Sequence, residues 1–249
     1  QGAAPADAPP EASPAKPKHR ARHVAAPVSL AVDPASALGH PLKLNGRSGE
    51  LRLERGEDGA LRIVKYTLLG EVASHPTQRC RIDIVADQPI SAASKGEPDG
   101  LPRYAADIAV CPLSFDVVSD GVLAPPQTNA CVFTVADCQA SPSGLWGPEA
   151  AELDKDPKAI SKTRAAADRL IQESLHKLIE RDKDAAASLA REENDFAAEL
   201  DETCRDYVGE ARLGFCASRL AQARAALLGK RAADSGAPAH AAAHSKRHK

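Results

Sequence analysis

Six cysteines are the residues of this 249-residue chain whose type and spacing most clearly imply chemistry. Two thiols can close a disulfide, whereas a zinc site needs four thiol or imidazole ligands at short spacing. The last two cysteines have no other Cys or His close by, which favours a disulfide over a metal site. Because the number is even, we predict three disulfides and a secreted or periplasmic protein. The six are Cys80, Cys111, Cys131, Cys138, Cys204 and Cys216.

The first four cysteines allow three pairings, and their positions alone do not choose among them. We favour Cys80 with Cys111 across two strands and Cys131 with Cys138 locally, as structural cross-links. The last two cysteines fall on the apolar sides of two predicted helices, near a glycine-containing break. A disulfide there would clamp a helical hairpin at its turn and contribute about 3 kcal/mol.

A run of acidic residues is the second feature that could have a function, in this case the binding of a partner. Residues 191–206 hold seven acidic and two basic side chains, a balance of −5. A helix with this charge favours association with a basic protein, because complementary charge raises the association rate. The alternative is a solvated helix face that binds nothing. The candidate binding residues are Glu192, Glu193, Asp195, Glu199, Asp201, Glu202 and Asp206.

The sequence contains no familiar catalytic motif. It has no Gly-x-Ser-x-Gly, no His-Glu-x-x-His and no Walker A pattern. His75 and His176 are the only histidines between residues 41 and 239, and neither has an evident nucleophile or metal partner. Because these motifs are missing and the disulfides would also use every thiol, we predict a protein that is not an enzyme, with no cofactor and no metal. A hydrolytic site of unrecognised type in the β region is the remaining alternative.

His240, His244 and His248 recur every four residues near the end of the sequence. On a helix they would form one face that could capture zinc or nickel weakly. Lys246 and Lys249 lie beside them, which favours a basic tail that contacts anionic envelope polymers.

Residues 41–140 show the alternation of apolar and polar side chains that is typical of β-strands. Leu51 and Leu53 alternate with charged residues, a turn follows at Gly59, and the alternation resumes at Leu61 and Ile63, which predicts a hairpin. Several short alternating runs with Pro- or Gly-rich breaks predict a small antiparallel β sandwich or barrel. The further runs are 80–84, 104–111, 115–117 and 131–135.

Residues 149–232 show helical spacing instead. Asp156 followed by Pro157 is a strong helix start, and three amphipathic stripes extend from there to Gly229. They predict an antiparallel helical hairpin of two or three helices after the β region, and therefore an α+β protein. Trp146 lies where the two patterns meet, and we interpret it as an anchor that packs one domain on the other. A binding hot spot is the alternative.

The second half of the helical region resembles the LprI-type lysozyme-inhibitor domain, a small secreted helical module of bacteria. Phe196 takes the place of that family's aromatic residue ahead of a Cys pair, which Cys204 and Cys216 match. Arg224 and Leu227 match its closing helix, together with the following leucine. The resemblance covers about residues 185–230, and residues 150–184 lack the Cys pair of the family's first half. It implies a structural role for the matched residues and inhibition of a lysozyme.

Four parts are expected along the chain. They are an Ala/Pro-rich disordered linker at 1–40, a disulfide-linked β domain at 41–148, a helical hairpin domain at 149–232 and a disordered, basic, His-containing tail at 233–249. The sequence has no methionine, and its first residues resemble those left after signal-peptide removal.

The distribution of apolar, basic and aromatic residues also restricts the classes of partner that we expect. No run approaches the roughly 18 apolar residues of a membrane helix, so we expect no transmembrane segment. Nucleic-acid binders combine a basic patch with aromatic residues, and this pattern is not evident, so we expect no nucleic-acid partner. We therefore predict a bacterial envelope protein that binds a partner, and the most specific candidate for that partner is a lysozyme. The alternative is a structural or assembly module of the envelope that is not an enzyme.

Overall fold

The computed structural model describes residue 2 and residues 32–85 and 87–235, and these form an α+β protein. The predicted linker and basic tail, with the histidines at 240, 244 and 248, lie outside the described residues apart from residue 2 and the stretches 32–40 and 233–235. Eleven strands precede the main helices. They are β1 Leu42–Leu44, β2 Ser48–Arg55, β3 Leu61–Val72, β4 His75–Val85, β5 Ile90–Ser94, β6 Arg103–Ala106, β7 Leu113–Val118, β8 Gly121–Ala124, β9 Cys131–Phe133, β10 Cys138–Ala140 and β11 Gly144–Gly147.

Eight of these strands close into an antiparallel barrel. Their order around the ring is β1, β2, β3, β5, β6, β7, β8 and β11, and β11 pairs with β1 to complete it. The hairpin of β2 and β3 forms as predicted, with Arg55 opposite Leu61. The far half of β3 extends beyond the ring and pairs with β4 and with β10, to which β9 is added. Of the two predicted β architectures, the barrel is therefore the one that forms.

The barrel interior is filled by the alternating apolar residues of its strands. Leu51, Leu53 and Ile63 are fully buried there, because successive side chains of a strand point to opposite faces. Trp146 is also fully buried in this core, where its ring meets the Tyr66 ring edge-on at 5.9 Å. Its Nε1 donates a hydrogen bond to the Pro142 carbonyl at 2.8 Å. The interpretation of the tryptophan as an anchor between two domains was therefore wrong.

Three disulfides form, and the described residues contain no free cysteine. The favoured pairing of the first four was wrong, because Cys80 bonds with Cys138 and Cys111 with Cys131. The long β3 explains the first bond, since its far half pairs with both β4 and β10, and the Cα atoms of Cys80 and Cys138 come within 5.9 Å of each other. Cross-linking at this density is typical of proteins from an oxidising compartment.

Three long helices follow the barrel. An N-cap at Asp156 starts the first one, where its Oδ1 accepts from the Ala159 amide at 3.1 Å and Pro157 occupies the first turn. None of the helices in the described residues is long and apolar enough to cross a membrane. The helices are α1 Ala150–Leu153, α2 Pro157–Arg181, α3 Ala186–Cys204, α4 Glu210–Leu213 and α5 Phe215–Asp234, of which α1 and α4 are single turns.

Helices α2 and α5 pack side by side and run in the same direction. Near their starts, the Ser218 hydroxyl contacts the Ile160 carbonyl at 3.3 Å. Near their ends, the Arg181 guanidinium donates to the Ala232 carbonyl. Small residues on α5 allow this close packing, and Ala221 and Ala225 share a buried cluster with residues of α2.

The helices and the barrel share a second apolar core. Leu145, the neighbour of the buried tryptophan, points the other way along β11 and joins a cluster with Phe215 of α5. A glycine is required at position 147, because a Cβ atom there would lie 2.5 Å from the Tyr207 Oη and 2.8 Å from the Phe215 ring. Polar contacts add to the junction, and Arg219 Nη2 lies 2.7 Å from an Asp120 carboxylate oxygen.

Candidate functional site

The acidic residues of α3 fall into groups with different surroundings. Glu192 and Glu193 point toward α5, where Arg224 Nη2 lies 2.6 Å from Glu193 Oε1 and Arg231 Nη1 lies 2.6 Å from Glu192 Oε2. The hydrogen bond from Arg231, followed by the contact with Arg224, lowers the pKa of the Glu192 carboxyl group. These two glutamates therefore hold α3 against α5. Because arginines neutralise their charges, they contribute little to the attraction of a partner.

Asp195, Glu199 and Glu202 are exposed and make no ion pair within the part of the chain that the structure describes. They lie along one side of α3, at spacings of four and three residues, which puts them on one helical face. Asp206 continues this row just beyond the helix and lies 3.9 Å from Arg47 of the β1–β2 turn. The face looks onto a groove between α3 and the barrel.

The groove consists of two hollows that meet at Asp195 and Glu199. The first, of about 320 Å³, has an apolar floor and extends toward the end of α5. The second, of about 580 Å³, extends toward the β1–β2 turn at Asn45. We call this combined surface the acidic groove. Its floor and barrel wall include Leu101, Leu123, Pro126, Ser143, Phe196, Leu220, Ala223 and Leu227.

The barrel adds two further carboxylates to the first hollow, Asp99 and Asp116. Both are paired with Arg103, whose Nε lies 2.6 Å from Asp116 Oδ1 and whose Nη2 lies 2.6 Å from Asp99 Oδ2. Arg103 of β6 therefore links this strand to β7 beside the groove. Sequence reasoning missed all three residues, because only the closure of the barrel brings β6 and β7 opposite α3.

The residues matched to the inhibitor family lie in or beside the groove. Leu227 and Arg224 line its first hollow, and the Arg224 guanidinium sits 5.7 Å above the Phe196 ring. Cys204 and Cys216 are bonded and buried, and they tie the end of α3 to the start of α5. The disulfide and the two glutamate–arginine contacts fix α3 at both ends. The groove carboxylates are therefore held at a fixed spacing before any partner binds.

Asp201 faces the side of α3 toward α2 and does not line the acidic groove. It lines a separate hollow of about 340 Å³ on the side of α3 toward α2, together with Arg164 and Asp168. Its charge therefore does not contribute directly to the acidic groove. It serves instead as a matched control position on the same helix.

The candidate histidines His75 and His176 do not line this groove. His176 is exposed on α2 and pairs with Glu180 at 3.3 Å. His75 begins β4, where the Ser74 hydroxyl contacts its Nδ1 at 2.8 Å and donates to the Asp137 carboxylate. In a nucleophilic triad the histidine stands between the serine and the acid. Here the hydroxyl stands between the other two, and all three groups are exposed.

Among the described residues no group of three or more His, Cys, Asp or Glu side chains has the arrangement of a metal site. Comparisons with protein-family models, with curated proteins and with solved structures found no match to this chain.

Proposed function

We propose that this chain is a secreted or periplasmic bacterial protein, not an enzyme, that holds a basic protein partner in its acidic groove. One observation carries the proposal: Asp195, Glu199 and Glu202 line an apolar-floored groove and form no ion pair with described residues. Apolar floors provide affinity when they are covered, and a charged rim selects the partner and speeds its approach.

A lysozyme-type muramidase is the sharpest candidate for the partner. Many lysozymes are strongly basic, and their clefts contain paired carboxylates. The resemblance to LprI-type inhibitors supports the same partner, because Phe196, Arg224 and Leu227 lie around the groove. In this proposal α3 and α5 act as an antiparallel hairpin, clamped by Cys204 and Cys216, that presents the acidic row to the enzyme.

Lysis of bacterial cell walls by a panel of lysozymes, with and without the oxidised protein, tests this proposal. We expect stoichiometric inhibition of at least one basic lysozyme. The variant Asp195→Lys, Glu199→Lys, Glu202→Lys should lose at least about tenfold in inhibitory potency, because reversing charges at a complementary interface costs several kcal/mol.

The matched control reverses three exposed carboxylates that do not line the groove, as Glu173→Lys, Glu180→Lys and Asp201→Lys. Both variants change the net charge by six, so their overall electrostatic effects are equal. Equal potency of the groove variant and the control would contradict a role for the groove. No inhibition of any lysozyme at a large molar excess would remove the lysozyme from the proposal.

A structural or assembly module of the envelope is the second candidate. It is favoured by the surroundings of Glu192 and Glu193, two of the candidate binding residues. Both pair with arginines of α5, so they stabilise the packing of the helices and do not face a partner. In that case binding to an anionic envelope polymer would depend on the basic segments outside the described residues. It would vanish when those segments are removed and persist in the groove variant.

A further inference from the structure

The last turns of α5 lie at one end of the acidic groove. Leu227 lines the first hollow, and one turn later Lys230 Nζ donates to the Pro98 carbonyl at 3.0 Å, next to the groove residue Asp99. The next residue, Arg231, is held by Glu192 of α3. Whatever follows α5 in the chain therefore starts beside the groove.

The segment that follows is basic. Residues 236–249 contain no acidic residue and end with Lys246, Arg247, His248 and Lys249. This segment lies outside the described residues. Its charge complements the acidic row of α3 in the same molecule, where Asp195, Glu199 and Glu202 have no ion-pair partner among the described residues and Asp206 lies 3.9 Å from Arg47.

The distances allow contact within one molecule. Ser235 lies eight residues beyond Leu227, which is about 12 Å of helix. Glu192 and Glu202 are ten residues apart on α3, about 15 Å. Eleven residues lead from Ser235 to Lys246, and a chain of that length reaches at most about 36 Å. The basic residues can therefore reach the whole acidic row.

We propose that residues 245–249 of this chain bind in its own acidic groove and compete there with a basic partner. The inference rests on the proposed function, because both assign the groove to basic protein segments. A tether of this length gives an effective concentration on the order of millimolar, so even a weak contact fills much of the groove. A partner then binds only the molecules whose groove is free of the segment. Its apparent Kd is the intrinsic Kd divided by the fraction of such molecules.

Zero-length carbodiimide cross-linking of the full chain at high dilution tests the contact without any partner. The reagent joins a lysine amine to a carboxylate in contact with it. We expect intramolecular links from Lys246 or Lys249 to Asp195, Glu199 or Glu202, and their loss at high salt. Links spread evenly over the surface carboxylates, or only between molecules, would overturn the proposal.

A hexalysine peptide as the probe separates this proposal from the one on which it rests. Neutralising the segment, as Lys246→Ala, Arg247→Ala and Lys249→Ala, should tighten hexalysine binding at least about threefold. The control Lys16→Ala, Lys18→Ala and Arg20→Ala removes the same charge and should give a smaller change. If hexalysine binds but both variants behave alike, the tail contact is wrong and the groove stands. If hexalysine binds none of the three proteins, the groove itself is wrong.

Discussion

At the scale of single residues, carboxylates that are alike in the sequence differ in what surrounds them. Glu193 is held by a nearly buried arginine, whereas Glu199 stands exposed over a groove and Asp201 faces the opposite side of the same helix. The charge of residues 191–206 could be predicted from the sequence, but not which charges are already neutralised. That depends on Arg224 and Arg231, which come 31 and 39 residues after the glutamates they bind.

Glu192 gives the fold a stability that depends on pH. The hydrogen bond from Arg231 lowers the pKa of its carboxyl group. Such a group stabilises the folded state above its unfolded pKa of about 4.3, and the contribution is lost as the pH falls through the lower folded pKa. Since the side chain is partly exposed, Glu192→Gln should lower the free energy of unfolding at pH 7 by less than about 1 kcal/mol. Denaturant unfolding at pH 7 and about pH 3 measures this, and equal losses at both pH values would contradict it.

At the scale of elements, local signals located the segments but not their neighbours. The start of α2 at Asp156 and Pro157 and the hairpin of β2 and β3 could be predicted, because caps, turns and alternation act over a few residues. The pairing of Cys80 with Cys138 could not be predicted, because it follows from the sharing of β3 between β4 and β10. The parallel contact of α2 with α5 likewise depends on the small side chains of two distant stripes.

The disulfide between α3 and α5 should contribute strongly to helical stability. Its cysteines are 12 residues apart, and closing such a loop is worth about 3 kcal/mol in the chain-entropy model. We expect Cys204→Ala with Cys216→Ala to lower the free energy of unfolding by roughly that amount and to weaken partner binding, since α3 loses its anchor beside the groove.

The control is Cys111→Ala with Cys131→Ala, whose cysteines are 20 residues apart within the β region. The chain-entropy model gives it a similar loss of stability, while the helices keep their clamp. Denaturant unfolding followed by circular dichroism and a binding titration give both quantities. If removing the bond in the β region weakens binding as much as removing the helical one, the positioning role of the helical disulfide is wrong.

At the scale of the whole molecule, the groove exists only because barrel and helices are joined. Leu145 and Phe215 share one buried cluster, and Asp120 of the barrel pairs with Arg219 of α5. The sequence predicted both parts, yet nothing local in it shows that the β6–β8 side of the barrel would face α3. One wall of the groove, including Leu123, therefore comes from a region that carried no binding signal of its own.

Hydrogen exchange of the full chain, alone and with a basic lysozyme, tests the central claim most directly. A partner in the acidic groove must slow exchange on both walls together. We expect slower exchange in peptides covering 195–206 and in those covering 123–126 and 143–145, with no change in the exposed part of α2 around Glu173. Slower exchange confined to other surfaces, or no change at saturating lysozyme, would contradict the proposal that this groove binds a basic protein.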